Sequence, residues 1–309
     1  MNLQLGTQSS LSYQRRFRRL TALTLAETSR IWNLTSSGNF GDNAIRISDA
    51  LEAVLKSAQA MAVDVASGYV RDASLELGLP TPSYNLNSAA VVGITGSGMP
   101  VASLPGGAIS QTIKGFRSRG LTVFQAVQTG KKVLQRDVVT LLNDTRNVVE
   151  KVGFNSRQVT LYVRGLTPPS CGRCVVLAGK TTGDKEPFLR HPQCDCVNIP
   201  ATSREATAWH TSAQGYLQSL DDAQLLKLLG SKANLQAFRD GASFNQLINA
   251  YRRKGYVRSA QMYGREVKVT LNGSGRTRSK IRLMPESIYR FADSPEDARR
   301  LLRVHGWIF

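Results

Sequence analysis

Apolar positions recur at helical spacing through most of this chain, and the breaks in that spacing divide it into regions. Residues 8–36 contain few breakers and place Leu20, Leu23, Ile31 and Leu34 on one helical stripe. Ser37-Gly38-Asn39-Phe40-Gly41-Asp42 then reads as a turn. Ser48-Asp49 has the chemistry of a helix cap, and Leu51, Val54, Leu55, Ala58, Ala62 and Val65 carry the second stripe until Gly78, Pro80 and Pro82. Two long helices joined by a short turn predict an antiparallel hairpin arm over residues 1–82.

Residues 83–107 are rich in Asn, Ser, Gly and Pro and read as a linker. Within them Gly93-Ile94-Thr95-Gly96-Ser97-Gly98 has the glycines of a phosphate loop but no Gly-Lys-Ser/Thr ending, so a plain connection is the better reading. From Ile109 to Val152 the period is helical again, interrupted near Gly120 and Gly130, with Val133, Val138, Leu141, Leu142, Val148 and Val152 on the apolar side. Asp137, Asp144 and Glu150 are not spaced as a catalytic carboxylate set and receive no role. Gln158–Arg164 alternates and is rich in β-formers, which predicts a strand. After Pro200 the pattern predicts helices over 202–218, 221–240 and 243–254, then a positive Gly/Ser/Arg segment at 272–280. Met284-Pro285-Glu286 and Ser294-Pro295-Glu296-Asp297 predict two more helix starts. The expected fold is mainly α with a small β/zinc-knuckle module (α+β). Its regions are the arm 1–82, the linker 83–107, a helical domain 108–270 holding a knuckle at 166–200, and a basic linker with helical tail at 271–309.

A hydrophobic content of 41% can build a core and argues against a disordered chain. No run of 18 apolar residues exists. The basic cluster near the start is followed by a stretch too polar for a secretory signal, so a soluble chain made in the cytoplasm is expected. Charge changes the picture further. Forty Lys and Arg against 22 Asp and Glu leave +18, and residues 251–309 hold 14 of those bases against 5 acids. Such an excess predicts attraction to polyanions, nucleic acid first, without sequence preference. The candidate contacts are Arg15, Arg16, Arg18, Arg19, Arg252, Arg253, Lys254, Arg276, Arg278 and Lys280.

All four cysteines fall between positions 171 and 196, as Cys171-Gly172-Arg173-Cys174 and His191-Pro192-Gln193-Cys194-Asp195-Cys196. Scattered core cysteines would not cluster in this way. A C-x-x-C turn sets two thiolates on one side of an ion, and a returning pair completes a tetrahedron, which suits Zn²⁺. Cys194 and Cys196 give a Cys₄ site; His191 with one of them gives Cys₃His, so His191 is an alternate ligand. Disulfides fit a cytoplasmic product poorly. A redox pair would open a helix in a βαβ unit, and none is expected around it. A lone nucleophile needs one thiol rather than four. No H-x-E stands beside the cysteine motif, so the deaminase signature is missing, and the zinc reads as structural rather than catalytic.

Leu166-Thr167-Pro168-Pro169-Ser170-Cys171-Gly172-Arg173-Cys174-Val175-Val176-Leu177-Ala178-Gly179-Lys180, with Arg190-His191-Pro192-Gln193-Cys194-Asp195-Cys196-Val197-Asn198-Ile199-Pro200, resembles the MuF-like minor capsid (head morphogenesis) proteins of tailed phages, above all those of actinobacteria. The ending Arg282–Tyr289 with Ala298–Ile308 resembles theirs too. The resemblance implies a non-enzymatic virion component that joins the portal or major capsid protein during procapsid assembly and sits inside the head against packaged double-stranded DNA. No membrane is expected, and self-association is left open. The competing expectation is a zinc-dependent nucleic-acid-binding protein or nuclease.

Overall fold

The computed structural model describes residues 8–36, 40–166, 169–183, 185–186, 196–201, 213–251, 255–262, 264–272 and 280–309. Among these the chain is mainly helical with two small antiparallel sheets, an α+β fold. Its contacts divide it into two units, residues 1–169 with 179–211, and residues 170–178 with 212–309.

The first unit is built on four helices: α1 (Gln8–Asn33), α2 (Phe40–Glu76), α3 (Ser103–Ser118) and α4 (Val123–Asn155). Helix α2 buries the expected stripe, with Leu51, Leu55, Ala58 and Ala62 in the core. It starts at Phe40, so Ser48-Asp49 lies inside the helix rather than capping it. Helix α1 buries Leu20 and Ile31 of the expected positions but not the other two. Leu23 and Leu34 are exposed, while Tyr13, Phe17, Leu20, Thr24, Thr28, Ile31 and Trp32 are buried. The threonines can sit in the core because their hydroxyls donate one turn back, Thr24 to Leu20 O at 2.9 Å and Thr28 to Thr24 O at 2.8 Å. At the other end of the hairpin, the Glu76 carboxylate accepts from the amides of Gln8 and Ser9, both at 3.0 Å, and so caps α1.

Gly120 does separate α3 from α4, but α4 runs through Gly130 without a break. An added Cβ at Gly130 would overlap Thr112 and lie 2.7 Å from Trp32. This glycine is a close-approach position between helices, not a breaker. The segment 83–107 lies on the bundle: Gln59 donates to the carbonyls of Val91 and Ile94 and accepts from the amide of Gly93, and Val101 is fully buried. The predicted strand forms as β1 (Leu161–Gly165), paired antiparallel with β2 (Thr181–Gly183) and β3 (Val197–Pro200) in the order β2-β1-β3. Val197 and Ile199 complete the core of the bundle.

The second unit contains α5 (Gly172–Val176), α6 (Ala213–Gln218), α7 (Asp222–Leu229), α8 (Lys232–Arg239), α9 (Phe244–Ala250), α10 (Pro285–Phe291) and α11 (Pro295–Val304). The helix start read at Asp221 is a full capping box with Gln224. The single helix expected over 221–240 is two, divided at Gly230, whose φ of +78° ends α7 in the left-handed region. Sequence reading missed a second sheet, β4 (Val257–Met262), β5 (Arg265–Asn272) and β6 (Lys280–Leu283), in that order and antiparallel. Arg282 from β6 lies over the buried Trp307 ring at 3.8 Å and donates to Gly306 O and Gln246 Oε1. Burial pulls its pKa down to about 10.

Candidate metal centre

Cys171 is the exposed N-cap of α5, and Cys174 is buried on its first turn. The turn between them is tight because Val175 N donates to Cys171 O at 3.0 Å. Gly172 lies close to a neighbouring helix: a Cβ there would lie 2.6 Å from the end of the Ile248 side chain of α9. Ser170, just before the pair, donates its amide to the Tyr216 hydroxyl at 2.9 Å. In chain order the C-x-x-C pair does open a helix after a strand, as a redox pair would. Both neighbours of β1 are antiparallel, however, so no parallel βαβ unit is present in that sheet.

Cys196 belongs to the first unit and is buried immediately before β3. His191 and Cys194 lie outside the described residues. Among the described residues no group of three or more His, Cys, Asp or Glu is placed to hold a metal ion.

What the structure adds around Cys196 is a polar cluster inside the apolar core. Arg146 of α4, 1% exposed, donates from Nη2 to Cys196 O at 2.6 Å, and its guanidinium lies 4.6 Å from the Phe17 ring centre. Glu150, one turn further on and fully buried, accepts from the Tyr13 hydroxyl at 2.7 Å and from Asn198 Nδ2 at 3.2 Å. Tyr69 stacks on Tyr13 with ring centres 4.4 Å apart and donates its hydroxyl to Asn198 O at 2.9 Å. Burial raises the Glu150 pKa above the usual carboxylate value, against the opposing pull of Arg146, Tyr13 and Asn198. Burial, then the Glu150 charge, also pushes the Tyr13 phenol well above its ordinary value.

These side chains were not legible as a site from spacing, although one signal was present. Arg146 and Glu150 fall on the same stripe as Leu142 and Val149, so the apolar face of α4 carries two charges four residues apart. Charged residues on a buried face must be paired or hydrogen-bonded, and these are. The cluster fixes β3, and with it the Cys196 backbone, to three helices.

The predicted nucleic-acid contacts divide the same way. Arg15, Arg16 and Arg19 are exposed on α1, and Arg18 is half-buried. Arg16 also pairs loosely with Asp72 at 3.7 Å. Arg252, Arg253, Lys254, Arg276 and Arg278 lie outside the described residues, and Lys280 opens β6.

No family model, curated protein or solved structure matches this chain.

Proposed function

We propose that this chain is a structural, non-enzymatic component of a tailed-phage head, a MuF-like minor capsid protein. It would act in procapsid assembly at the portal or the inner capsid and contact packaged DNA without sequence preference. The observation that carries the reading is the pair of runs Leu166–Lys180 and Arg190–Pro200, whose cysteine pattern and flanking residues resemble that family. The net charge of +18 supports it independently, because a protein enclosed with DNA at high density gains from phosphate neutralisation. The exposed Arg15, Arg16 and Arg19 on one helix are part of that basic surface.

The same reading gives the chain one structural Zn²⁺, held by Cys171, Cys174, Cys194 and Cys196, with His191 as the alternate ligand. Four thiolates would hold the ion in a closed, redox-inert site, which braces loops rather than activating water. The deciding experiment is co-expression with the portal and major capsid proteins of the same genome, followed by mass spectrometry and a density map of the purified particles. Heads that carry the chain support the proposal, and heads from which it is absent overturn it. Divalent-metal-dependent DNA cleavage by the purified protein, lost in His191→Ala with folding intact, would establish the competing nuclease reading.

A further inference from the structure

The corner between α3 and α4 exposes apolar side chains that the fold does not use. A full capping box starts α4, with Thr122 and Gln125 each accepting the other's amide. Leu121 and Ala126, the residues just outside that box, both pack on α3: an added Cβ at Gly115 would meet Ala126 at 3.0 Å and Leu121 at 3.4 Å. The corner therefore closes without Val123 and Phe124, which are 62% and 70% exposed. Leu34, just past the end of α1, is 58% exposed.

These three side chains share the open end of one helix seam. Trp32 donates its indole N–H to Val127 O at 3.2 Å, and Lys131 donates to Asn33 Oδ1 at 3.0 Å. The last turn of α1 thus lies on the stripe of α4 that runs through Phe124, Val127 and Lys131. Phe40 of α2 meets the ring of Phe116 of α3 edge-on at 6.4 Å and closes the same end from the other two helices. Single exposed apolar residues are ordinary, but three large ones at one seam mark a contact surface. The charge around them is largely positive. Residues 77–136 contain no Asp or Glu, and Lys114, Arg117, Arg119 and Lys132 among them are exposed. On the other two helices the acids near this end are Glu27, already paired with Arg30 at 2.7 Å, and Asp42 and Asp49.

Three classes of partner carry the complementary charge. A nucleic-acid duplex offers phosphates but no apolar face for Leu34 and Val123. A lipid surface is met at the headgroup level by Trp and Tyr, and the exposed residues of this seam include neither. A protein segment supplies carboxylates and apolar side chains together, and Arg and aromatic residues are the types enriched where proteins meet. We propose that this end of the bundle docks an acidic amphipathic helix of a partner protein. The apolar side of that helix rests on Leu34, Val123 and Phe124, and its carboxylates face Arg117, Arg119 and Lys132, where the guanidinium forks match carboxylate geometry. The inference goes beyond the function proposed above, since it names a protein contact by its chemistry and holds in whatever assembly the chain belongs to.

The test uses the full chain and a labelled peptide of about 18 residues that forms a helix with Glu on one face and Leu on the other, read by fluorescence anisotropy at about 0.15 M salt. A peptide of the same composition with its two faces scrambled measures attraction by charge alone. Val123→Ser with Phe124→Ser removes part of the apolar seat, and Arg117→Gln with Arg119→Gln removes two charges beside it. Arg258→Gln with Arg303→Gln, both exposed on the second unit, makes the same change in net charge elsewhere. The expected result is saturable binding that weakens about tenfold or more in each of the first two double variants and for the scrambled peptide, but stays unchanged in the third, with melting temperatures close to wild type throughout. No binding of the amphipathic peptide, equal binding of the scrambled one, or equal weakening in both charge variants would overturn the docking site. So would binding of phosphatidylserine vesicles or of single-stranded DNA that depends on Val123 and Phe124 while peptide binding does not, because the surface would then serve a lipid or a nucleic acid.

Discussion

Arg146→Met tests whether the buried cluster, rather than apolar packing alone, holds β3 to the helices. Methionine keeps most of the volume and the contact with Phe17 but removes the cation. Two losses follow from the geometry. The charged hydrogen bond to Cys196 O at 2.6 Å disappears, a contact of a kind worth about 1.5–3 kcal/mol. Glu150 also keeps its burial and loses the charge that opposes it. Arg146 acts on Glu150 through space rather than by a hydrogen bond, so the loss is set mainly by the bond to Cys196 O, about 1.5–3 kcal/mol. For a unit of this size that corresponds to a fall in melting temperature of about 3–12 °C.

The pH dependence has a definite sign. Burial holds the folded-state pKa of Glu150 above its unfolded value, so the folded protein binds that proton more tightly. The contribution of Glu150 is therefore most favourable below the unfolded pKa and declines as pH rises through the folded one. Without Arg146 the folded pKa rises further, and the window of decline extends upward. Arg146→Met should accordingly lose less stability near pH 5 than near pH 7.5, measured by circular dichroism melts against wild type at both values. Glu150→Gln should restore part of the loss, so that the double variant lies at least about 1 kcal/mol above additivity. A strictly additive cycle, or a single-variant loss under about 1 kcal/mol at neutral pH, would refute the claim that the two charges act as a pair.

Gly130→Ala should destabilise the first unit. Overpacking against Thr112 and Trp32 costs about 1–3 kcal/mol, more than the roughly 1 kcal/mol that alanine gains over glycine inside a helix. Denaturant unfolding should show a lower midpoint with an unchanged slope, and a stabilised variant would mean that the helices can part there freely. Retention of double-stranded DNA should fall steeply between low and moderate salt and differ little among unrelated sequences; a salt-insensitive or sequence-selective complex would contradict the electrostatic argument.

The stripe of α2 was legible because its apolar residues are long runs at one period and the core takes them as they stand. The face of α1 was legible only at Leu20 and Ile31, because Thr24 and Thr28 satisfy their hydroxyls within the helix and can be buried at apolar positions. Composition alone does not reveal that local hydrogen bonding. The β4-β5-β6 sheet had a visible signal that the basic character of the region obscured: Glu266-Val267-Lys268-Val269 alternates, and Val267 and Val269 are buried while Glu266 and Lys268 are exposed. Gly264, at φ +73°, supplies the turn of the hairpin before it. For the cysteine pattern, spacing states which donors are available. Spacing does not state which core each limb is rooted in, and Arg146 and Glu150 reach Cys196 and Asn198 from about 50 residues earlier in the chain.

That rooting would separate the proposed metal from the fold in a way that can be measured. Purified protein should contain about one Zn²⁺ per chain, and Cys171→Ser should lose it. If zinc alone ordered the cysteine segment, its removal would free β3 as well. The contacts holding β3, however, come from protein: Arg146 to Cys196 O, Tyr69 to Asn198 O, Asn198 to Glu150, and the antiparallel ladder to β1. Chelation should therefore leave the amides of Val197, Asn198 and Ile199 protected in hydrogen exchange, while protection around Cys171–Cys174 falls. The reverse pattern should follow from Arg146→Met, with β3 losing protection while metal is still bound. Loss of protection across β1 and β3 on chelation would show that the polar cluster does not hold the strand without the ion.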